Sequence, residues 1–332
     1  MNIPRYLLIA ALTGLTSIQS FAWGPDGHHT VGAIASGLIK GTQAESEVNA
    51  LLGDISLIDA AVWADCAKGV DPTKNYQYQK PGKYPECKVF ETPELEAEMS
   101  DFVRRNDKNC QPKPGEEICH KQYHYTDIAI QQSQYTFGPV GTREDDIVGA
   151  VVAAVHVLKG EAAPAPFDIK SKREALLLLA HYVGDMHQPL HVGAVYLNAK
   201  GSRVDPDQGT YDPTTATRGG NNIMVSGGNL HAKWDDIPAS LKASKVSQAW
   251  LTQAGNVAAT PGGMFDWPAA WATGTLGKAK TAFQGVKFGP IKQGHWGATL
   301  PKNYATTLSS VKKAQLTAGG ARFAEVLKAI WP

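Results

Sequence analysis

The sequence predicts a mainly α-helical fold: a single compact α-helical domain with long loops. Three observations predict it. Apolar residues recur at helical spacing in several separate stretches, alternating strand patterns are nearly absent, and the intervening segments are long and rich in Gly, Pro, Asp and Asn. No internal repeat or low-complexity linker divides the chain.

Residues 1–22 read as an export signal. Arg5 supplies positive charge, residues 6–18 are mostly apolar, and Ser20-Phe21-Ala22 offers small residues at the two positions a signal peptidase reads. The apolar run is shorter than the about 20 residues a membrane span needs, and no later stretch is long and apolar enough. The expectation is a secreted or periplasmic protein beginning at Trp23, with one domain over residues 23–332.

Residues 27–40 carry a helical stripe of Val31, Ile34, Ala35 and Leu38, and residues 55–64 read as a short buried helix. Residues 68–122 differ: Lys, Pro, Gly and Gln dominate, three of the four cysteines lie here, and only residues 94–105 are amphipathic. This is a disulfide-pinned insertion, not a separate domain. An even cysteine count in an exported chain implies two disulfides. The closeness of Cys110 and Cys119 around a Pro-Gly loop favours that pair, leaving Cys66 with Cys87. No C-x-x-C spacing occurs, which argues against a cysteine zinc site.

Residues 142–159 form a helix lined by Ile147, Val151, Val155 and Leu158, capped by Thr142 or the acidic residues after Arg143. Residues 171–188 form another. Residues 193–228 are loop, short helices fit residues 230–236 and 240–254, and two more fit residues 302–330 with a Gly319-Gly320 break between or within them.

The 32 basic and 31 acidic residues give a formal charge of +1, which falls to zero when Arg5 is removed. A neutral surface argues against stable binding of duplex DNA through a broad basic face, though not against a nucleic acid gripped through metal ions.

The chemistry centres on His181 and Asp185, four apart and therefore on one helical face. Pro189 ends or kinks that helix, and His191 follows in a turn free to point back. Two imidazoles and a carboxylate so placed read as metal ligation. His231 and Asp235 repeat the spacing, with Asn229 able to cap their helix. His124 has Asp127 within one turn, Asp65 follows Trp63, and His28 lies five residues after Trp23. His187 sits on the opposite helical face from Asp185 and reads as a buried, hydrogen-bonded residue. His29, His120, His156 and His295 have no matching partners and read as structural.

Five pieces occur in order: Trp23-Gly24-x3-His28, Trp63-Ala64-Asp65, His124-Tyr125-Thr126-Asp127, His181-x3-Asp185-x5-His191, and Gly219-Gly220-Asn221 leading to His231-x3-Asp235. Together they resemble the zinc-dependent S1/P1 nuclease family, whose fold is shared with bacterial zinc phospholipase C. The resemblance covers residues 23–235; downstream no motif matches.

The resemblance implies three Zn²⁺ ions. Asp65, His124, His181 and Asp185 would hold the buried ion, and His191, His231 and Asp235 the second. The third would take the α-amino nitrogen and carbonyl oxygen of Trp23 with His28, sharing Asp185. An α-amino group, with a pKa of about 7.7–8.0, can yield its proton to zinc near neutrality, so export and activity would be coupled. Three dications against three carboxylates leave a positive cleft suited to a phosphodiester, attacked by a zinc-activated water.

In the same comparison, Lys68 matches a basic phosphate contact, Asp127 the carboxylate near the catalytic water, and Tyr125 an aromatic position for stacking a nucleobase. Taken alone, Lys68 can also be read as a solvated surface lysine and Tyr125 as a core tyrosine. The implied activity is hydrolysis of single-stranded RNA and DNA at the 3′ P–O bond, leaving 5′-phosphate ends, with removal of 3′-phosphates from nucleotides by a monomer. Two features depart from fungal members. Residues 68–122 and the loop between His191 and His231 are longer, and Asp236 stands where some nucleases have Asn, which puts base contacts there in doubt. The nearest rival is a zinc phospholipase C, disfavoured by the short Trp23–His28 gap and by Asp235 where that family has Glu. A non-catalytic zinc-binding protein is the third reading.

Overall fold

The computed structural model describes residues 23–108 and 119–332. The export-signal assignment, and Cys110, lie outside the described residues.

The chain is mainly α-helical, organised around one buried helix. Helix α1 spans Pro25–Ile39, α2 Gln43–Leu52, α3 Leu57–Ala60, α4 Trp63–Ala67, α5 Pro93–Asp107, α6 Cys119–Gln122, α7 Ile147–Leu158 and α8 Lys172–Met186. Helix α9 spans Leu230–Asp235, α10 Gln248–Gly255, α11 Trp267–Ala282 and α12 Tyr304–Ile330. Every residue of α8 from Glu174 to Met186 is buried, with α1, α4, α7 and α12 packed around it. A helix apolar all round belongs in the middle of a core. Ser171 starts it, its hydroxyl accepting from the Glu174 amide. Pro189 opens a separate 3₁₀ turn, Pro189–His191, which turns the chain back toward the buried end.

The C-terminal pair of helices expected over residues 302–330 is one continuous helix. Gly319 and Gly320 do not break it; they let it approach α1. A Cβ on Gly320 would lie 2.4 Å from Cβ of Ile34, so the helix-propensity cost of glycine is offset by close packing. The helix expected at 55–64 is interrupted at Ala61-Val62 into α3 and α4, and the one at 240–254 is two 3₁₀ turns followed by α10. Helices α2 and α11 are additions to the sequence-based expectation.

Strands are short but more numerous than the patterning implied. Strands β1 (Val70–Asp71) and β2 (Gln77–Tyr78) form a hairpin. Strand β3 (Ile128–Ala129) pairs in parallel with β4 (Gly193–Ala194), and β5 (Tyr196–Leu197) pairs with β6 (Arg203–Val204). The 193–228 segment is therefore not all loop. Strands β7 (Ile223–Val225), β8 (Gly228–Asn229), β9 (Lys287–Lys292) and β10 (His295–Thr299) form one sheet ordered β8-β7-β10-β9. The β9–β10 connection is Gln293-Gly294, both at positive φ (50° and 82°), as a tight hairpin turn requires. Gly289 and Pro290 interrupt the alternation, which hid this hairpin in the sequence.

The excursion at 68–122 holds the β1–β2 hairpin and α5, whose Met99, Phe102 and Val103 join the main core. Cys66 and Cys87 form a disulfide, as expected, and Cys119 is also disulfide-bonded. No helix of the described residues is long and apolar enough to cross a membrane.

Candidate metal centre

Three groups of buried side chains bring ligand atoms within 4.8 Å of one another: His28, His181 and Asp185; Asp65, His124 and His181; His191, His231 and Asp235. These are all the candidate ligand side chains expected from the sequence.

The elements explain the convergence. His28 rides on α1, started by Pro25 at its first turn. It approaches α8 at Gly184, where a Cβ would lie 2.8 Å from Nδ1 of His28. Any larger residue there would push the imidazole away. The break between α3 and α4 leaves the Ala61 carbonyl to accept from Nδ1 of His181 at 2.7 Å. That bond fixes the His181 tautomer, leaving the Nε2 lone pair facing Oδ2 of Asp185 (3.0 Å) and Oδ1 of Asp65 (3.6 Å). Nδ1 of His124 lies 2.9 Å from the same Oδ2 of Asp185. The other oxygen, Oδ1, lies 3.1 Å from Nε2 of His28. Asp185 thus divides its carboxylate between two groups.

The third group shows the clearest fit to a cation. Nδ1 of His191 donates to the His124 carbonyl at 2.7 Å, and Nδ1 of His231 donates to the Gly219 carbonyl at 2.8 Å. Both Nε2 atoms therefore carry lone pairs, and they face each other at 3.0 Å. Burial, reinforced by His191, depresses His231 to about 3, so protonation does not relieve the contact. A metal ion held by these two nitrogens would. Oδ1 of Asp235 stands 3.6 Å from Nε2 of His231 and accepts from Gln188 at 2.7 Å. Neither nitrogen of buried His28 makes a hydrogen bond of good geometry, nor does Oδ1 of Asp185, as groups aimed at an ion would not. Nitrogen and carboxylate donors without thiolate suit zinc.

Electrostatics run the same way. Burial would raise Asp65, but Lys68, His181 and His124 outweigh it and hold the carboxylate at about 2. Asp185 is likewise far below the usual range, against its burial, through His181, His191 and His28. His181 is raised because Asp185 and Asp65 outweigh its burial. A field that draws a proton to His181 also draws a metal cation.

Around the ligands, Nζ of Lys68 pairs with Oδ1 of Asp65 at 2.7 Å. Tyr125 is half-buried, and its hydroxyl donates to Gln122 at 2.9 Å. Asp127 is pushed up to about 6 by burial, against Arg218 and the Gly219 amide. Its Oδ1 is buried without a hydrogen bond. Gly219 therefore joins Asp127, through its amide, to His231, through its carbonyl. Trp23 is fully buried, and the next residue's amide donates to the Asp235 carbonyl at 2.9 Å, so the stretch before α1 is tied to α9.

His187 stays outside the cluster, with Nδ1 donating to the Val183 carbonyl at 2.7 Å. His156 pairs with Glu161 and stacks on Phe265, and His295 donates to Gln293. The sequence reading missed three supporting residues, Gln188, Lys312 and Gly184, and quoted a fourth, Gly219, only as part of a motif. Gln188 holds Asp235, and Lys312 donates to the carbonyls of Lys233 and Asp236 at the end of α9. Gly184 makes room for His28. Gly219, at φ 57°, could not bear a Cβ, which would lie 2.4 Å from the Leu190 carbonyl. A glycine between the two ligands of the last helical turn was the available signal for Gly184; nothing local marked Lys312.

Fold and site together define a helical protein with a composite, buried cluster of nitrogen and carboxylate groups that could hold metal ions. The family model described as S1/P1 Nuclease matches residues 23–332, and the chain belongs to that family. It is 26% identical to Nuclease S1 of Aspergillus oryzae over 70% of this chain and 60% of that protein. Identity to Endonuclease 5 of Arabidopsis thaliana is 24%, over 66% of this chain and 56% of the relative. Endonuclease 1 of the same plant is 23% identical over 98% and 93%. The matches to the first two thus span less than two thirds of those relatives.

Proposed function

We propose that the chain is an exported, zinc-dependent phosphodiesterase that hydrolyses single-stranded RNA and DNA at the 3′ P–O bond, leaving 5′-phosphate ends, and that also removes 3′-phosphates from nucleotides. The observation that carries this reading is the divided carboxylate of Asp185, which joins two groups of ligands while a third group lies alongside. The names of the relatives, nuclease and endonuclease, support nucleic acid as the substrate.

Asp65, His124, His181 and Asp185 would hold one ion, His191, His231 and Asp235 a second, and His28 with Asp185 and the amine and carbonyl of Trp23 a third. Bound zinc supplies Lewis-acid charge and an activated water. Lys68, beside Asp65, offers its ammonium to a phosphate oxygen. Asp127, held near 6 by burial, can take a proton at its unpartnered Oδ1 close to neutral pH. The half-buried ring of Tyr125 offers a face for a base. In this reading residues 1–22 are removed on export, freeing the Trp23 amine. The mature protein, residues 23–332, is then a secreted or periplasmic monomer with no stable hold on duplex DNA.

The test is hydrolysis of single-stranded DNA and of phosphatidylcholine by homogeneous mature protein, with and without chelator, followed by analysis of product ends. Zinc-restored cleavage of DNA with 5′-phosphate ends is expected. Cleavage of phosphatidylcholine alone, or of neither substrate, contradicts the proposal.

A further inference from the structure

Lys68 has a second environment besides Asp65. It lines a cavity of about 500 Å³ together with Lys80, Lys121, Asp71, Asp107 and Thr73, a volume within the usual range for ligand sites. The walls come from the β1–β2 hairpin, the end of α5 and α6. They are well fixed. The Gln79 amide donates to the Gly69 carbonyl at 2.9 Å, the Tyr76 hydroxyl donates to Asp107 at 2.7 Å, and the Cys66–Cys87 disulfide ties the excursion to α4.

Charge makes the cavity selective. Each carboxylate has one oxygen engaged internally: Oδ1 of Asp71 accepts from the amide and hydroxyl of Thr73 at 2.8 and 2.7 Å, and Oδ2 of Asp107 accepts from Tyr76. Among the described residues, Lys80 and Lys121 form no ion pair. Three ammonium groups therefore line the cavity against two carboxylates, and one of the three, Lys68, is also paired with a candidate metal ligand, Asp65. The lining is net positive, which favours a chain of phosphates over a cation.

We propose that this cavity is a phosphate subsite for the nucleic-acid strand, in which Lys80 and Lys121 hold backbone phosphates next to the one that Lys68 faces. The proposal rests on the reading of nucleic acid as substrate. It makes the 68–122 excursion a binding element, so that strand length, not only the reacting phosphate, contributes to recognition.

The experiment measures binding of a labelled thymidine oligomer of about 20 nucleotides, with charged phosphorothioate linkages that slow cleavage, to the full zinc-loaded mature protein, as a function of salt. Each phosphate contact on a single strand contributes about 0.7 to the slope of log affinity against log salt. Lys80→Ala and Lys121→Ala should each make the slope shallower by about 0.7, and the double variant by about 1.4. The Lys80→Arg/Lys121→Arg pair should keep the wild-type slope. An oligomer with an uncharged methylphosphonate backbone should bind wild type and variants alike. Unchanged slopes in the alanine variants, or a loss that persists with the uncharged backbone, overturn the proposal. Zinc-loaded hydrolysis of a dinucleotide is read separately. If it is absent in wild type the nuclease reading fails, while the slopes still judge the subsite.

Discussion

His28 reaches Asp185 across the contact between α1 and α8, with Nε2 3.1 Å from Oδ1, while Oδ2 of the same carboxylate lies 2.9 Å from His124. One side chain therefore serves two ligand groups, and its loss should damage both. Asp185→Asn keeps the shape but replaces one oxygen with a donor that cannot ligate. Metal analysis should show loss of more than one equivalent, and hydrolysis should fall more than about 100-fold, beyond the range for loss of an outer-shell partner. Full metal content in the variant contradicts the bridging role.

Gly184→Ala separates two effects of opposite sign. In an ordinary helix interior this change stabilises by about 1 kcal/mol. Here the added Cβ meets His28 at 2.8 Å, so the imidazole must move. We expect weaker metal retention under chelator challenge with helix content by circular dichroism unchanged.

Gly320→Ala tests the helix packing that carries α1. The new Cβ would lie 2.4 Å from Ile34, and overpacking of this kind costs about 1–3 kcal/mol. Urea unfolding should show a net loss despite the gain in helix propensity.

Asp146 gives a pH signature away from the metal ligands. It is fully buried, caps α7 through Val148 and Gly149, and is raised to about 6 mainly by burial. A carboxyl raised in the folded protein favours folding most below its unfolded value of about 3.8. That contribution declines as pH rises from there through 6. Asp146→Asn should remove this segment of the pH dependence, a change of about 3 kcal/mol across that pH window. Equal slopes for the two proteins between pH 4 and 6, by urea unfolding, contradict it.

Local spacing exposed the candidate ligands His181 with Asp185 and His231 with Asp235, because a single helical turn converts it into proximity, whereas His28, Asp65 and His124 are assigned through the family resemblance. The sequence exposed α8 because an apolar run needs no knowledge of its neighbours. It did not expose the role of Gly319-Gly320, since a glycine pair marks a break or a close approach equally well until the opposing helix is known. The β9–β10 hairpin escaped because Gly289 and Pro290 interrupt its alternation. Lys312 and Gln188 escaped because what they hold, the end of α9 and Asp235, is distant in the chain.

A composite zinc centre completed by Trp23 is tested most directly by metal analysis of protein beginning at Trp23, beside protein carrying extra residues before it. Three zinc equivalents are expected in the first and fewer in the second, with cleavage of single-stranded DNA lost in chelator and restored by Zn²⁺. Equal occupancy in the two proteins, or undiminished cleavage in excess chelator, contradicts it.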